Sequence, residues 1–258
     1  MPKHELIETQ QEDGIAWIRL NRPDVLNALN RQLISEIVAE MESCDRDDNV
    51  KVIVLTGNGR AFAAGADICE MAAADAVSMD MENQFAEWDR LLQIKKPVIA
   101  AVNGFAFGGG FELALACDLR FASENAQFGF PEIKLGVMPG AGGTQWLTKY
   151  MGKAKALEWL WSGDPMKAKE AERFGIVNRL VAPELLEEET KKFAQKLARQ
   201  PLMSLRLIKE AVAAAVDSTI AEGMKYERKN FYMLFATEDQ KEGMKAFAEK
   251  RKPNFKDR

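Results

Sequence analysis

The sequence predicts an α/β fold whose strands are joined by crossover helices, followed by a helical C-terminal segment. Three observations carry this. Short β-branched apolar runs alternate with helical periodicity over residues 15–130. Several of those runs are almost wholly apolar, the mark of strands buried on both faces. Beyond about residue 140, helix-forming stretches take over, punctuated by Pro165, Pro183, Pro201 and Gly223. The 258 residues therefore divide into an α/β core over 1–195 and a helical segment over 196–258.

In order along the chain, Ile15 to Leu20 reads as a strand closed by the turn signal Asn21-Arg22-Pro23-Asp24. Leu33, Ile34, Ile37, Val38 and Met41 then fall at helical spacing, with Asn30 placed to cap the helix. Val50 to Leu55 forms a buried strand before Gly57-Asn58-Gly59, and residues 78–95 read as one helix. Pro97 to Val102, Leu119 to Ala122 and Gln127 to Phe130 are further strands. Helices are predicted at 153–161, 167–173, 184–199, 202–216, 219–235 and 239–250. The helical tail could pack on its own core or on a neighbouring subunit, and the sequence leaves both open.

Composition removes several function classes. A net charge of −4 leaves no basic footprint for nucleic acid. No apolar run is long enough to span a membrane, and the first residues lack the character of a signal or transit peptide. Cys44, Cys69 and Cys117 lie far apart without metal-type spacing, which fits a reduced, cytoplasmic setting. The single histidine, His4, is expected in a mobile tail, which argues against a Ser-His-Asp triad or a histidine metal site. Proton transfer at neutral pH is left mainly to carboxylates with shifted ionisation.

Three glycine-rich loops stand out: 61–68, 103–110 and 136–144. None has dinucleotide-fold, P-loop or nucleophile-elbow spacing. The first two follow strands and enter helices, at the sheet edge where α/β proteins bind ligands. Glycine there lets backbone approach a ligand, and a helix start offers unpaired N–H donors. Two such loops can aim two amides at one oxygen as an oxyanion hole, or can simply close tight turns. Glu112 follows Gly110 at the start of an apolar helix, and Glu132 follows Pro131 in a short one. Apolar surroundings and mutual repulsion would keep one acid protonated and the other ionised; the plain alternative is that each favours its helix dipole.

These segments match a family. Ala64-Gly65-Ala66-Asp67-Ile68, Lys96 to Gly104, Gly108-Gly109-Gly110-Phe111-Glu112-Leu113-Ala114, Phe128 to Ile133, and Pro139 to Gln145 occur in order. Together with Leu20-Asn21-Arg22-Pro23 and the tail from Phe247 to Asp257, they closely resemble the enoyl-CoA hydratase/isomerase (crotonase) superfamily, in particular its short-chain hydratases. The resemblance implies a spiral of ββα units with a C-terminal helical trimerisation region, assembled as a hexamer of two trimers. It implies that the Ala66 and Gly109 amides form the oxyanion hole and that Glu112 and Glu132 are the catalytic acids. It further implies that the Gly140 amide helps hold the catalytic water, and that residues 64–69, including Ala64, Asp67, Ile68 and Cys69, contact coenzyme A.

On this resemblance the expected activity is syn hydration of a trans-2-enoyl-CoA to a 3-hydroxyacyl-CoA, with coenzyme A entering as part of the substrate and neither metal nor other cofactor required. An enoyl-CoA isomerase, or another acyl-CoA lyase of the superfamily, is the alternative; members with a single acid tend to be isomerases, and both acids are present here. One relative also binds RNA through a lysine-rich helix, whereas helix 31–46 has only Arg31 and Arg46 as basic residues. Two departures from the family pattern are Cys69, often Lys, and Trp146, often Arg. Lys250-Arg251-Lys252 reads as a solvated basic tail, with coenzyme A phosphates as its other possible partner.

Overall fold

The computed structural model describes residues 4–83 and 85–258. Its strands are β1 (Ile7–Glu12), β2 (Ile15–Leu20), β3 (Val52–Gly57), β4 (Ala61–Ala63), β5 (Val98–Val102), β6 (Phe105–Phe107), β7 (Leu119–Ser123), β8 (Gln127–Gly129), β9 (Met166–Lys167) and β10 (Arg179–Val181). The helices of the core are α1 (Arg31–Arg46), α2 (Ala76–Glu82), α3 (Ala86–Leu91), α4 (Gly109–Ala116), α5 (Gly143–Met151), α6 (Lys153–Ser162), α7 (Ala168–Arg173) and α8 (Leu186–Ala198). α9 (Leu202–Ala215), α10 (Ile220–Leu234) and α11 (Glu238–Ala248) follow.

Successive strands enter two different sheets. The larger has the order β1-β2-β3-β5-β7-β10 and the smaller β4-β6-β8-β9. Only β1 against β2 and β9 against β8 run antiparallel; the other pairs are parallel. The chain thus passes from β3 to β4, β5 to β6 and β7 to β8, each time crossing from the larger sheet to the smaller before helices carry it back. This is the ββα spiral that the family resemblance implied.

The larger sheet is covered on both faces, which explains its unbroken apolar runs. Trp17, Val52, Val54, Ile99 and Phe121 pack with Leu186 and Ala194 of α8. Ile18, Ile53, Leu55, Ala100 and Val102 face the other way, into a core shared with Leu33, Ile37 and Met41 of α1. Asn30 caps α1 as expected, its Oδ1 accepting from the Leu33 amide at 2.9 Å.

Four expectations need correction. Residues 78–95 are not one helix: a capping box on Asp75 starts α2, and Asn83, at φ 41°, stops it before α3 begins. The strand expected at 50–55 is shifted to Val52–Gly57, because the Val50 amide turns back to the Asp47 carbonyl at 3.0 Å. The loops at 61–68 and 103–110 contain β4 and β6, three-residue strands too short to show a period. His4 is not in a loose tail either, since its Nε2 lies 2.9 Å from Glu40 Oε2.

Polar contacts fasten the C-terminal helices to the core. Lys209 Nζ donates to the Lys96 carbonyl at 3.0 Å and to Asp118 Oδ2 at 2.7 Å. The last residues fold back on α11, where Asp239 accepts from the Lys256 and Asp257 amides at 2.6 and 2.8 Å. Among the described residues, no helix is long and apolar enough to cross a membrane.

Candidate active site

β4 and β6 are parallel neighbours, so the loops after them leave the same edge of the smaller sheet. Their approach is close. A Cβ on Gly110 would sit 2.0 Å from the Ala63 carbonyl oxygen, so only glycine lets the first turn of α4 abut the end of β4. One residue earlier, the Cβ position of Gly109 falls 3.7 Å from the Ala66 nitrogen. Neither the Ala66 nor the Gly109 amide donates to another backbone group among the described residues. The structure therefore places the Ala66 and Gly109 backbone, the pair named by the family resemblance, close together.

Glu112 lies in the first turn of α4 and is only 4% exposed. Its Oε1 accepts from the Ala141 and Gly143 amides, both at 2.8 Å. Gly143 begins α5, so the carboxylate sits on that helix's positive end. Burial pushes the Glu112 carboxyl above its ordinary range, and the two amides partly offset the rise.

Glu132 comes from the 3-10 turn Pro131–Leu135, as expected from Pro131. Its Oε1 lies 2.7 Å from where a Gly108 Cβ would be, which places the carboxyl over the start of α4. Its Oε2 is buried with no partner among the described residues, an uncommon state for a carboxyl oxygen. Burial pushes the group up to about 7, its own backbone amide pulls the other way, and the nearby charge of Glu112 adds to the rise. Two acids with different surroundings thus lie at the start of α4, beside the Ala66 and Gly109 backbone.

The remaining candidates fall around this centre. Gly140 immediately precedes Ala141, and the Phe85 ring lies against it, 2.5 Å from its Cβ position at Cζ. The Ala64 amide donates to the Leu26 carbonyl at 3.0 Å. Asp67 accepts from Arg22, while Ile68 and Cys69 are exposed. Trp146 lies over Gly142 and packs against the core. Arg251 is paired with Glu242 and Glu249, so this residue of the basic tail is bound internally. Among the described residues, no cluster of His, Cys, Asp or Glu could hold a metal ion.

Sequence reasoning missed the Ala141 and Gly143 amides and the helix that supplies one of them. The third glycine loop was the available signal, but its glycines hid the start of α5.

Residues 10–258 match the family described as Enoyl-CoA hydratase/isomerase. The chain belongs to the enoyl-CoA hydratase/isomerase family. Among similar members, a protein of Rhizobium meliloti (strain 1021) named "Probable enoyl-CoA hydratase" is 51% identical over 98% of both chains. "Enoyl-CoA hydratase, mitochondrial" of Pongo abelii is 50% identical over 96% of this chain and 85% of its own. A crystal structure from Geobacillus kaustophilus HTA426, described as "Enoyl-CoA Hydrates Subunit I", is 64% identical with a TM-score of 0.98. That match covers 99% of this chain and 100% of the other.

Proposed function

We propose that this family member hydrates trans-2-enoyl-CoA thioesters to 3-hydroxyacyl-CoA. The observation that carries the reading is a buried Glu112 held by the start of α5 and a half-buried Glu132 pushed up to about 7, the latter with an oxygen that has no partner among the described residues, both close to the Ala66 and Gly109 amides.

In the proposed reaction the thioester oxygen accepts from the Ala66 and Gly109 amides, which favour enolate-like charge. Water attacks the β-carbon while Glu112, as general base, takes one of its protons. Glu132, protonated, delivers a proton to the α-carbon on the same face. Each turnover leaves Glu112 protonated and Glu132 ionised, and exchange with solvent restores both. The Gly140 amide helps hold the water, and Ala64, Asp67, Ile68 and Cys69 line the coenzyme A path. No metal or separate cofactor enters, and the working form is a cytoplasmic homo-hexamer.

The test is loss of the conjugated thioester's ultraviolet absorbance across a ladder of trans-2-enoyl-CoA chain lengths, beside a 3-enoyl-CoA isomerisation control. Glu112→Gln and Glu132→Gln should each lower turnover by at least about 10²-fold. Near-normal hydration in both variants, or isomerisation outrunning hydration in the wild type, would reject the proposal.

A further inference from the structure

The proposed reaction leaves one motif without a role, the turn Asn21-Arg22-Pro23 after β2. We propose that Arg22 is a positioning residue: its guanidinium ties together the two chain segments that aim the Ala66 amide at the substrate carbonyl. The inference rests on the oxyanion-hole reading of Ala66 and Gly109.

Residues 64–67 belong to no helix or strand; besides the Ala64 amide's bond to the Leu26 carbonyl, their backbone is held by a bridge between Ala66 and Leu29. The Leu29 amide donates to the Gly65 carbonyl at 2.8 Å, and the Asp67 amide donates to the Leu29 carbonyl at 2.9 Å. A residue flanked by two such bonds turns its own N–H to the opposite side. For Ala66 that side holds Gly109. The direction of the Ala66 N–H is therefore inherited from the segment that carries Leu29.

That segment is conformationally unfavourable by itself. Leu26 and Asn27 both adopt left-handed backbone, at φ 55° and 56°, which non-glycine residues rarely do in succession. Asn27 is completely buried and is held on three sides. Its Nδ2 donates to the Asn58 and Ala61 carbonyls at 3.0 and 2.8 Å, and its Oδ1 accepts from the Arg22 amide at 2.9 Å.

The Arg22 side chain completes the clamp. Nη1 donates to the carbonyl of Ala28, the residue just before Leu29. Nη1 and Nη2 reach Asp67 Oδ2, just after Ala66, at 3.3 and 3.2 Å. One rigid, planar group thus touches both flanks of the Leu29–Ala66 bridge. Lysine, a point charge on a flexible stem, would not fix the angle between them.

The experiment compares wild type, Arg22→Gln, Arg22→Lys and Asp67→Asn by steady-state hydration and by infrared difference spectra of bound butanoyl-CoA labelled with carbon-13 at the carbonyl. Butanoyl-CoA has no double bond to hydrate, so its carbonyl band reports polarisation alone. The expected result is a band displaced to lower wavenumber on binding wild type, with a smaller displacement in Arg22→Gln and Asp67→Asn and an intermediate one in Arg22→Lys. Turnover should fall by about 10-fold or more in Arg22→Gln, with KM within a few-fold of wild type. A wild-type displacement retained in full by the variants would overturn the inference while leaving the oxyanion hole standing. So would a raised KM with unchanged turnover, since Arg22 would then serve binding rather than aim. A wild-type band that does not move would overturn the oxyanion-hole reading itself. If Arg22→Gln does not fold, Asp67→Asn decides, because it weakens the Arg22–Asp67 tie by removing its charge and keeps the guanidinium.

Discussion

At the scale of single residues, the candidate site turns on what burial does to two identical side chains. Glu112 has two amides on one oxygen, while Glu132 has an oxygen with none, so Glu132 is the better proton donor at neutral pH. Activity should fall as pH rises through about 7, where Glu132 loses its proton. A bell-shaped pH profile of kcat/KM whose alkaline limb disappears in Glu132→Gln would confirm this; an unchanged limb would refute it. The same shift carries a stability cost. The folded-state value lies above the ordinary 4.5, so the unfolded chain ionises more readily. Stability from this group is complete below pH 4.5, declines between 4.5 and about 7, and is absent above. Glu132→Gln should therefore be more stable than wild type above pH 7, by on the order of 2 kcal/mol after allowance for partial solvent screening, with the gap closing toward pH 4.5. Denaturant melts at pH 5 and pH 8 would measure it, and equal gaps at both would contradict the shift. Both acids were legible in the sequence because each follows a glycine or proline that starts a helix. The Ala141 and Gly143 amides were not, since a backbone donor leaves no mark in residue type.

Among the elements, α4 carries the greatest demand, because it must bring Gly109 and Glu112 to the end of β4. Its start depends on the missing side chain of Gly110. Its end depends on Arg120, which is 3% exposed and donates to the Cys117 carbonyl at 2.7 Å and the Ile176 carbonyl. Arg120 also donates to Tyr150 Oη at 2.7 Å, so α4 and α5 are joined at this end as well as through Glu112. Gly110→Ala should push the helix away from Ala63, reducing turnover by about 10-fold or more while also lowering the melting temperature. Arg120→Met should instead leave several buried acceptors unpaired and cost about 3 kcal/mol. Thermal melts and steady-state rates on both variants would separate the effects; a Gly110→Ala protein with wild-type kinetics would show that α4 can shift without consequence. α1 was readable because its apolar residues repeat at helical spacing, and β2, β3, β5 and β7 because their runs are almost wholly apolar, whereas β1 and β10 of the same sheet were not predicted. β4 and β6 were not: three residues cannot establish alternation, and what defines them is their pairing with one another. The break between α2 and α3 was hidden for a related reason, since it depends on a left-handed Asn83 rather than on a proline or glycine.

For the whole molecule, the single chain leaves a large apolar surface on its C-terminal helices. Val212, Ile220, Phe231 and Tyr232 are 63%, 85%, 53% and 68% exposed on α9 and α10, and Phe247 is 87% exposed near the end of α11. Isolated apolar residues are ordinary on protein surfaces, but several large ones on adjacent helices form a patch that a monomer would leave in water. Association is the usual means of covering such a surface, and a stable interface needs more than about 1,000 Å² of it. The proposed hexamer supplies that cover through copies of the same helices. Sedimentation of the purified protein should give a species of about six chains. Val212→Asp combined with Phe231→Asp should shift it to smaller assemblies, because a charge buried in an apolar interface costs several kcal/mol. Both positions lie outside residues 64–69, 108–112 and 132–143, so this variant separates assembly from the chemistry of the site. A wild-type protein that sediments as a single chain at micromolar concentration would leave the patch open to water and the hexamer without support.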